Sequence, residues 1–201
     1  MPYSDFTLDR IERQFGVTNQ VRTLFADVPA LPPSPTLVAD LQEAQQLRLR
    51  TEKAKSEWIV VPILKELRRR NGNYFTIFSG ENLDAEPTAG LNGECDFILA
   101  KDVHTYTISY PIIQVVEAKK NDFDLGVPQC AAQLLGAKLY NQQKGVPLER
   151  LYGCVTTGIN WQFLALDEQI IIDDQLYSLT QVDQVLGVFQ AIIDYYKRIL
   201  N

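Results

Sequence analysis

Two short apolar runs, Cys95-Asp96-Phe97-Ile98-Leu99-Ala100 and Ile112-Ile113-Gln114-Val115-Val116-Glu117-Ala118, constrain this chain more than any other feature. Both read as strands held in a sheet. Only a hairpin's length separates them. Each also carries acid inside or at its end: Glu94 and Asp96 in the first, Glu117 with Lys119 just beyond in the second. Burying an unpaired carboxylate is costly. Two carboxylates and a lysine in such runs therefore need a physical reason.

The rest of the chain supplies the elements around these strands. Phe6 to Phe25 reads as a short helix, with Leu8, Ile11 and Phe15 at helical spacing. The four prolines between Pro29 and Pro35 make a loop. Ser34-Pro35 is a good helix start, and Leu37, Leu41, Ala44 and Leu47 continue that helix. Thr51 to Arg70 is a second helix, closed by Asn71-Gly72. Its apolar centre, Trp58 to Leu64, is expected to be buried, and Pro62 to kink it or to mark a tight packing point.

Further strands are expected at Tyr74–Phe78, Cys95–Ala100, Thr105–Ser109 and Ile112–Ala118. A helix then covers Asp124–Gln142, with Pro128 in its first turns. Strands Leu151–Thr156 and Trp161–Leu166 flank a turn, and Gln169–Tyr177 reads as a hairpin turning at Asp173-Asp174. An amphipathic helix over Val182–Leu200 ends the chain. The order predicts an α/β fold with a central mixed β-sheet flanked by helices. Residues 1–50 form an N-terminal helical extension packed on a core spanning 51–201, in a single structural domain overall.

Composition excludes several chemistries. The three cysteines, Cys95, Cys130 and Cys154, have no Cys-x-x-Cys spacing, and their odd number argues for reduced thiols in cytosol. The single histidine, His104, reads as a surface residue. Zinc would need clustered Cys and His ligands, and no serine lies in a nucleophile elbow. No apolar run reaches membrane-spanning length, and the N-terminus lacks a secretory signal, so a cytoplasmic protein is expected.

The net charge of −6 disfavours a constitutive nucleic-acid binder. It is unevenly spread, however: Glu43–Phe75 carries a net +4 and the chain from Asn160 onward a net −4. Arg68, Arg69, Arg70 and Lys120 are candidate phosphate contacts; the arginines equally suit a helix C-terminal dipole.

Side chains alternate along a strand, so Glu117 and Lys119 share a face, as do Glu94 and Asp96. If the two strands pair, Asp96 and Glu117 come within a few ångströms. Two carboxylates at about 4 Å repel by about 4 kcal/mol at an effective dielectric near 20. Lys119 offsets part of that, and a hard divalent cation such as Mg²⁺ offsets it better.

Asp96, then Glu117-Ala118-Lys119, in this strand context resembles the PD-(D/E)xK phosphodiesterases, the restriction-endonuclease-like superfamily. The resemblance covers roughly Thr51 to Gly158. Cys95 stands where the motif's name expects proline.

The resemblance implies a restriction-endonuclease-like core and a Mg²⁺-dependent nuclease (Mn²⁺ as substitute) acting on nucleic acid, with DNA the expected substrate. It implies that Asp96, Glu117 and the backbone carbonyl of Ala118 hold the metal, with Glu57 acting through water. Lys119 would orient or deprotonate the attacking water, and Gln129 would orient the nucleophile or Lys119. Glu94 and Gln133 are secondary candidates.

Two other readings stay open. One is a non-catalytic nucleic-acid-binding or regulatory module on the same scaffold, which the acidic charge favours. The other is a homodimer through the C-terminal stripe of Val185, Phe189, Ile192, Ile193 and Tyr196, unless that stripe packs on its own sheet.

Overall fold

The structure is a computed structural model that describes residues 2–101, 106–119 and 122–200. Among these, α1 (Leu8–Phe15) is followed by β1 (Asn19–Val21), α2 (Pro35–Gln46), α3 (Glu52–Lys55), a π-helical turn (Ser56–Val60) and α4 (Val61–Arg70). Strands β2 (Phe75–Asn82), β3 (Glu94–Lys101) and β4 (Ile112–Ala118) precede α5 (Phe123–Gln143). Then β5 (Leu151–Thr156), β6 (Asn160–Leu166), β7 (Ile170–Ser178) and α6 (Val182–Ile199) complete the chain.

The strands form one seven-stranded mixed sheet in the order β1-β7-β6-β5-β4-β3-β2. Its centre is the parallel pair β4–β5, and α5 supplies the crossover that a parallel pair requires. Helices cover both faces, and β5 shows why its residues alternate. Gly153 lies under Cys130 and Leu134 of α5, where a Cβ would sit 2.6 Å from the Cys130 sulfur. Its neighbour Tyr152 packs edge-on against Tyr195 and Tyr196 of α6. All seven residues of β4 are buried, so this strand runs through the middle of the core.

The α/β class, the mixed sheet and the flanking helices are as the sequence predicts, but four details differ. The first helix stops at Phe15, because Gly16 takes a left-handed conformation (φ 69°) and caps it. The extension is therefore not wholly helical: β1 joins the sheet parallel to β7. Asp173-Asp174 is not a hairpin turn. β7 runs through it, and the register against β6 shifts between Gln162 and Leu164, so the turn-like residues form an irregularity in one strand. Buried Asp173 is satisfied there by the Leu24 N–H and the Tyr177 hydroxyl, each at 3.1 Å.

The segment expected as a strand near Ser109 is irregular from Tyr106 onward, and Thr105 and His104 lie outside the described residues. Finally, Val185, Phe189, Ile192, Ile193 and Tyr196 are all buried within the chain. That stripe packs on its own sheet and is not available for a homodimer.

The N-terminal 50 residues are tied into the core at several points. Tyr3 is buried and donates its hydroxyl to the Leu83 carbonyl at 2.7 Å, lying against Gly136 of α5. Glu66 accepts from the Ser34 N–H at 3.1 Å and from its hydroxyl at 2.8 Å. No helix among the described residues is long and apolar enough to cross a membrane.

Candidate active site

The site lies where β3 and β4 part. Their antiparallel ladder runs as far as Phe97 opposite Val116. Beyond it β3 stays with β2, pairing Cys95 with Glu81 and Glu94 with Asn82. The Asp96 carboxylate replaces the lost backbone partner: its Oδ2 accepts the Ala118 N–H at 2.7 Å. Within a strand the N–H and C=O of a residue point the same way, so the Ala118 carbonyl also faces this fork.

Glu117 is 2% exposed, in a strand that is otherwise apolar but for Gln114. Three donors hold it. Lys119 Nζ and Gln129 Nε2 reach Oε1 at 2.6 and 2.5 Å, and Gln133 Nε2 reaches Oε2 at 2.7 Å. The two glutamines stand one turn apart on α5. Glycine sets that helix so low on the sheet. A Cβ on Gly126 would come within 2.5 Å of Val155 Cγ1 and 3.0 Å of Lys119 Cγ. Lys119 is fixed in turn by its own N–H, which donates to the Thr156 carbonyl at 2.7 Å.

The electrostatics follow from this packing. Burial pushes the Glu117 carboxyl up to about 7, and the charge of Asp96 adds to the push, against Lys119 and Gln133. Burial also raises Asp96, opposed by the Ala118 N–H and by Lys119; its carboxyl lies within hydrogen-bonding reach of Glu117. Burial would lower Lys119, but Glu117, Asp96 and Glu52 outweigh it and raise the ammonium. Lys119 is therefore a firm cation at neutral pH, which suits charge stabilisation and orientation better than proton abstraction.

An open cleft of about 420 Å³ adjoins Asp96, with Glu52, Lys53, Glu57 and Glu94 on its walls. Glu94 is exposed and lies over Gly80. Glu57 is also exposed and stands 4.0 Å from Lys53, its i,i+4 neighbour. The acid whose charge acts on both Asp96 and Lys119 is Glu52, which sequence reasoning passed over. The π-helical turn, which contains Glu57 itself, explains this. It inserts roughly one residue, or about 100°, into the helical phase, so spacing from Glu57 misplaces whatever precedes it. The usable signal was Thr51, whose side chain caps the helix and so puts Glu52 in its first turn.

The arginines are elsewhere. Arg68 donates to the Phe75 carbonyl at 2.9 Å and to Asn73 at 2.8 Å; Arg70 binds Glu66 and the Pro32 carbonyl, each at 2.6 Å. They close the C-terminal end of α4, about 18 Å of helix from Glu57, and Arg69 is exposed there. Lys120 lies outside the described residues.

Asp96 and Glu117 offer hard oxygen ligands of the kind Mg²⁺ takes, and Mg²⁺ keeps several waters where a protein supplies only one or two carboxylates. The donor chemistry fits that ion, although no group of three or more His, Cys, Asp or Glu poised to hold a metal occurs among the described residues. Comparisons with protein-family models, with curated proteins and with solved structures found no match.

Proposed function

We propose that this chain is a Mg²⁺-dependent nuclease of the PD-(D/E)xK type, with a restriction-endonuclease-like core, hydrolysing DNA phosphodiesters at the fork between β3 and β4. One observation carries the reading. At the open end of the ladder the Asp96 carboxylate accepts the Ala118 N–H, and the buried Glu117 one residue before it is held by the Lys119 ammonium, Gln129 and Gln133. Two carboxylates brought together on neighbouring core strands cost stability, and a bound cation is a physical reason for keeping them.

Asp96, Glu117 and the Ala118 carbonyl would hold Mg²⁺, with Glu52 and Glu57 reaching its waters. When bound, the ion supplies charge for the phosphate and lowers the pKa of a coordinated water. The chain's own residues do the rest. Gln129 and Gln133 fix the Glu117 carboxylate in one orientation. Lys119 sets its ammonium beside the attacked phosphodiester and stabilises the charge that grows on its oxygens. The water oxygen forms the new bond to phosphorus as the bridging P–O bond breaks; the water's proton passes to solvent, and the leaving alkoxide takes one from solvent.

The test is cleavage of DNA by the purified protein with Mg²⁺ or Mn²⁺, against the same reaction in EDTA. Lys119→Ala should abolish metal-dependent cleavage in a protein that still unfolds in a cooperative transition, because Gln129 and Gln133 continue to hold Glu117. Equal cleavage by Lys119→Ala, or none by the wild type with either ion, would overturn the reading.

A further inference from the structure

The π-helical turn Ser56–Val60 presents two consecutive side chains, Glu57 and Trp58, to solvent and buries the next two, Ile59 and Val60. Such turns are rare and concentrate at functional sites. Trp58 is 40% exposed, whereas the chain's other tryptophan, Trp161, is fully buried. Trp58 lines a groove of about 350 Å³ with Asp40 and Glu43 of α2 and with Pro62 and Lys65. That volume is in the range of small-ligand sites, roughly 300–1,000 Å³. Glu57 lines both this groove and the cleft beside Asp96, so the two lie side by side across this one side chain.

We infer that the Trp58 groove is a stacking site for an unpaired base of the strand cut in the cleft, so that the substrate is single-stranded DNA or a single-stranded segment of a duplex. The inference rests on the nuclease reading and adds its substrate class. An indole face stacks any base and is tolerant of sequence. A base inside a duplex is stacked on both sides and cannot enter a side groove unless it is extruded, at an energetic cost.

The lining selects base over backbone. Asp40, Glu43 and Glu57 outnumber Lys65, so a phosphate is repelled. Carboxylates accept hydrogen bonds from the amino edges of bases such as cytosine. Lys53, 4.0 Å from Glu57 on the cleft wall, and Lys65 on the groove wall are the cations of the two linings, where the phosphates flanking a stacked base would find their counter-charge.

The experiment titrates a short single-stranded deoxyoligonucleotide into the full chain, with Ca²⁺ in place of Mg²⁺, and follows tryptophan emission. Saturable quenching is expected, and the duplex of the same sequence should give none. Trp58→Phe should abolish the quenching yet keep affinity for a labelled oligonucleotide, because an aromatic face remains. Trp58→Ala should weaken that affinity about 5- to 150-fold. No quenching, equal quenching by duplex, or full affinity in Trp58→Ala would each overturn the inference. The two readings fail separately. Lys119-dependent cleavage with a silent Trp58 sinks this inference alone. A quenched Trp58 in a protein that cuts nothing sinks the nuclease reading alone.

Discussion

Asp96→Asn isolates the electrostatic tension at the fork. The amide oxygen can still accept the Ala118 N–H, now held at 2.7 Å by Asp96 Oδ2, while the charge disappears. Glu117 is displaced from 4.5 to about 7, by burial first and by Asp96 second. At about 1.4 kcal/mol per pH unit that displacement is worth ~3 kcal/mol. Burial is the larger cause and Lys119 and Gln133 oppose both, so the charge of Asp96 is a secondary push, ~1 kcal/mol on the same scale.

The sign follows from proton binding. Glu117's folded pKa lies above its unfolded one, so between them the folded state holds more protons. The associated stability is present below about pH 4.5 and is lost as pH rises through about 7. Asp96 is itself raised by burial, so removing it takes away a further loss of stability with rising pH, in the same direction as the uncoupling of Glu117. Two groups outside the fork also titrate. Asp173 is raised by burial and acts in the same direction; Glu66, despite its burial, is lowered by Arg70 and Ser34 and acts oppositely. Both are common to the two proteins and cancel between them.

Urea unfolding in EDTA at pH 5 and pH 8 should therefore show the variant gaining ~1 kcal/mol on the wild type at the higher pH, relative to the lower. With a urea slope of about 2 kcal/mol/M, that is a relative midpoint shift of about 0.5 M. Added Mg²⁺ should stabilise the wild type at pH 8 and not the variant. Parallel profiles for the two proteins would refute the coupling between Asp96 and Glu117.

Three further outcomes are expected. Gln133→Leu removes a donor to ionised Glu117 and so raises its pKa further; the acid limb of the cleavage–pH profile should move up by about one pH unit, and an unmoved limb would show that Gln133 does not tune the site. Gly126→Ala drives a methyl into Val155 and the Lys119 stem; it should cost about 1–3 kcal/mol of stability by urea unfolding and lower the cleavage rate at temperatures where the protein is folded. Tyr3→Phe leaves the Leu83 carbonyl without its buried donor and should cost about 1–2 kcal/mol in a single cooperative transition, whereas an unchanged midpoint would mean that the extension unfolds apart from the core.

The limits of strands and helices were legible where the pattern was local. β4 and β5 fall on the residues their apolar runs mark, and Ser34 and Thr51 cap the helices that follow them. What escaped the sequence was non-local or irregular. Asp173-Asp174 carries a turn composition, yet a partner strand on one side and the Leu24 N–H on the other keep it within β7. Strand alternation sets Glu117 and Lys119 on one face and pairing brings Asp96 near them, whereas Gln129 and Gln133 followed only from the family resemblance. That Asp96 fills the ladder position where β3 leaves β4 is a tertiary fact. So is Glu52's approach to Asp96, which depends on a π turn no propensity announces.

The charge on the cleft walls sets an order of events for the proposed chemistry. Among the described residues, Glu52, Glu57, Glu94 and Asp96 face Lys53 alone there, and the Lys119 ammonium is already held by Glu117 at 2.6 Å. A phosphodiester approaching this wall meets net repulsion until a cation is in place. The bulk charge of −6 is thus no argument against a nucleic-acid substrate, since much of the local excess lies where a divalent ion would neutralise it. The same neutralisation would loosen the grip of Glu117 on Lys119, because the attraction that holds the ammonium is the attraction a cation competes for. Lys119 would then be free to turn to a phosphate oxygen. DNA affinity should accordingly rise with Mg²⁺ in the wild type and less so in Asp96→Asn, whose fork already carries one negative charge fewer. Fluorescence anisotropy of a labelled strand, with Ca²⁺ as the non-cleaving stand-in, reads that difference directly; equal cation dependence in both proteins would place the controlling charge elsewhere.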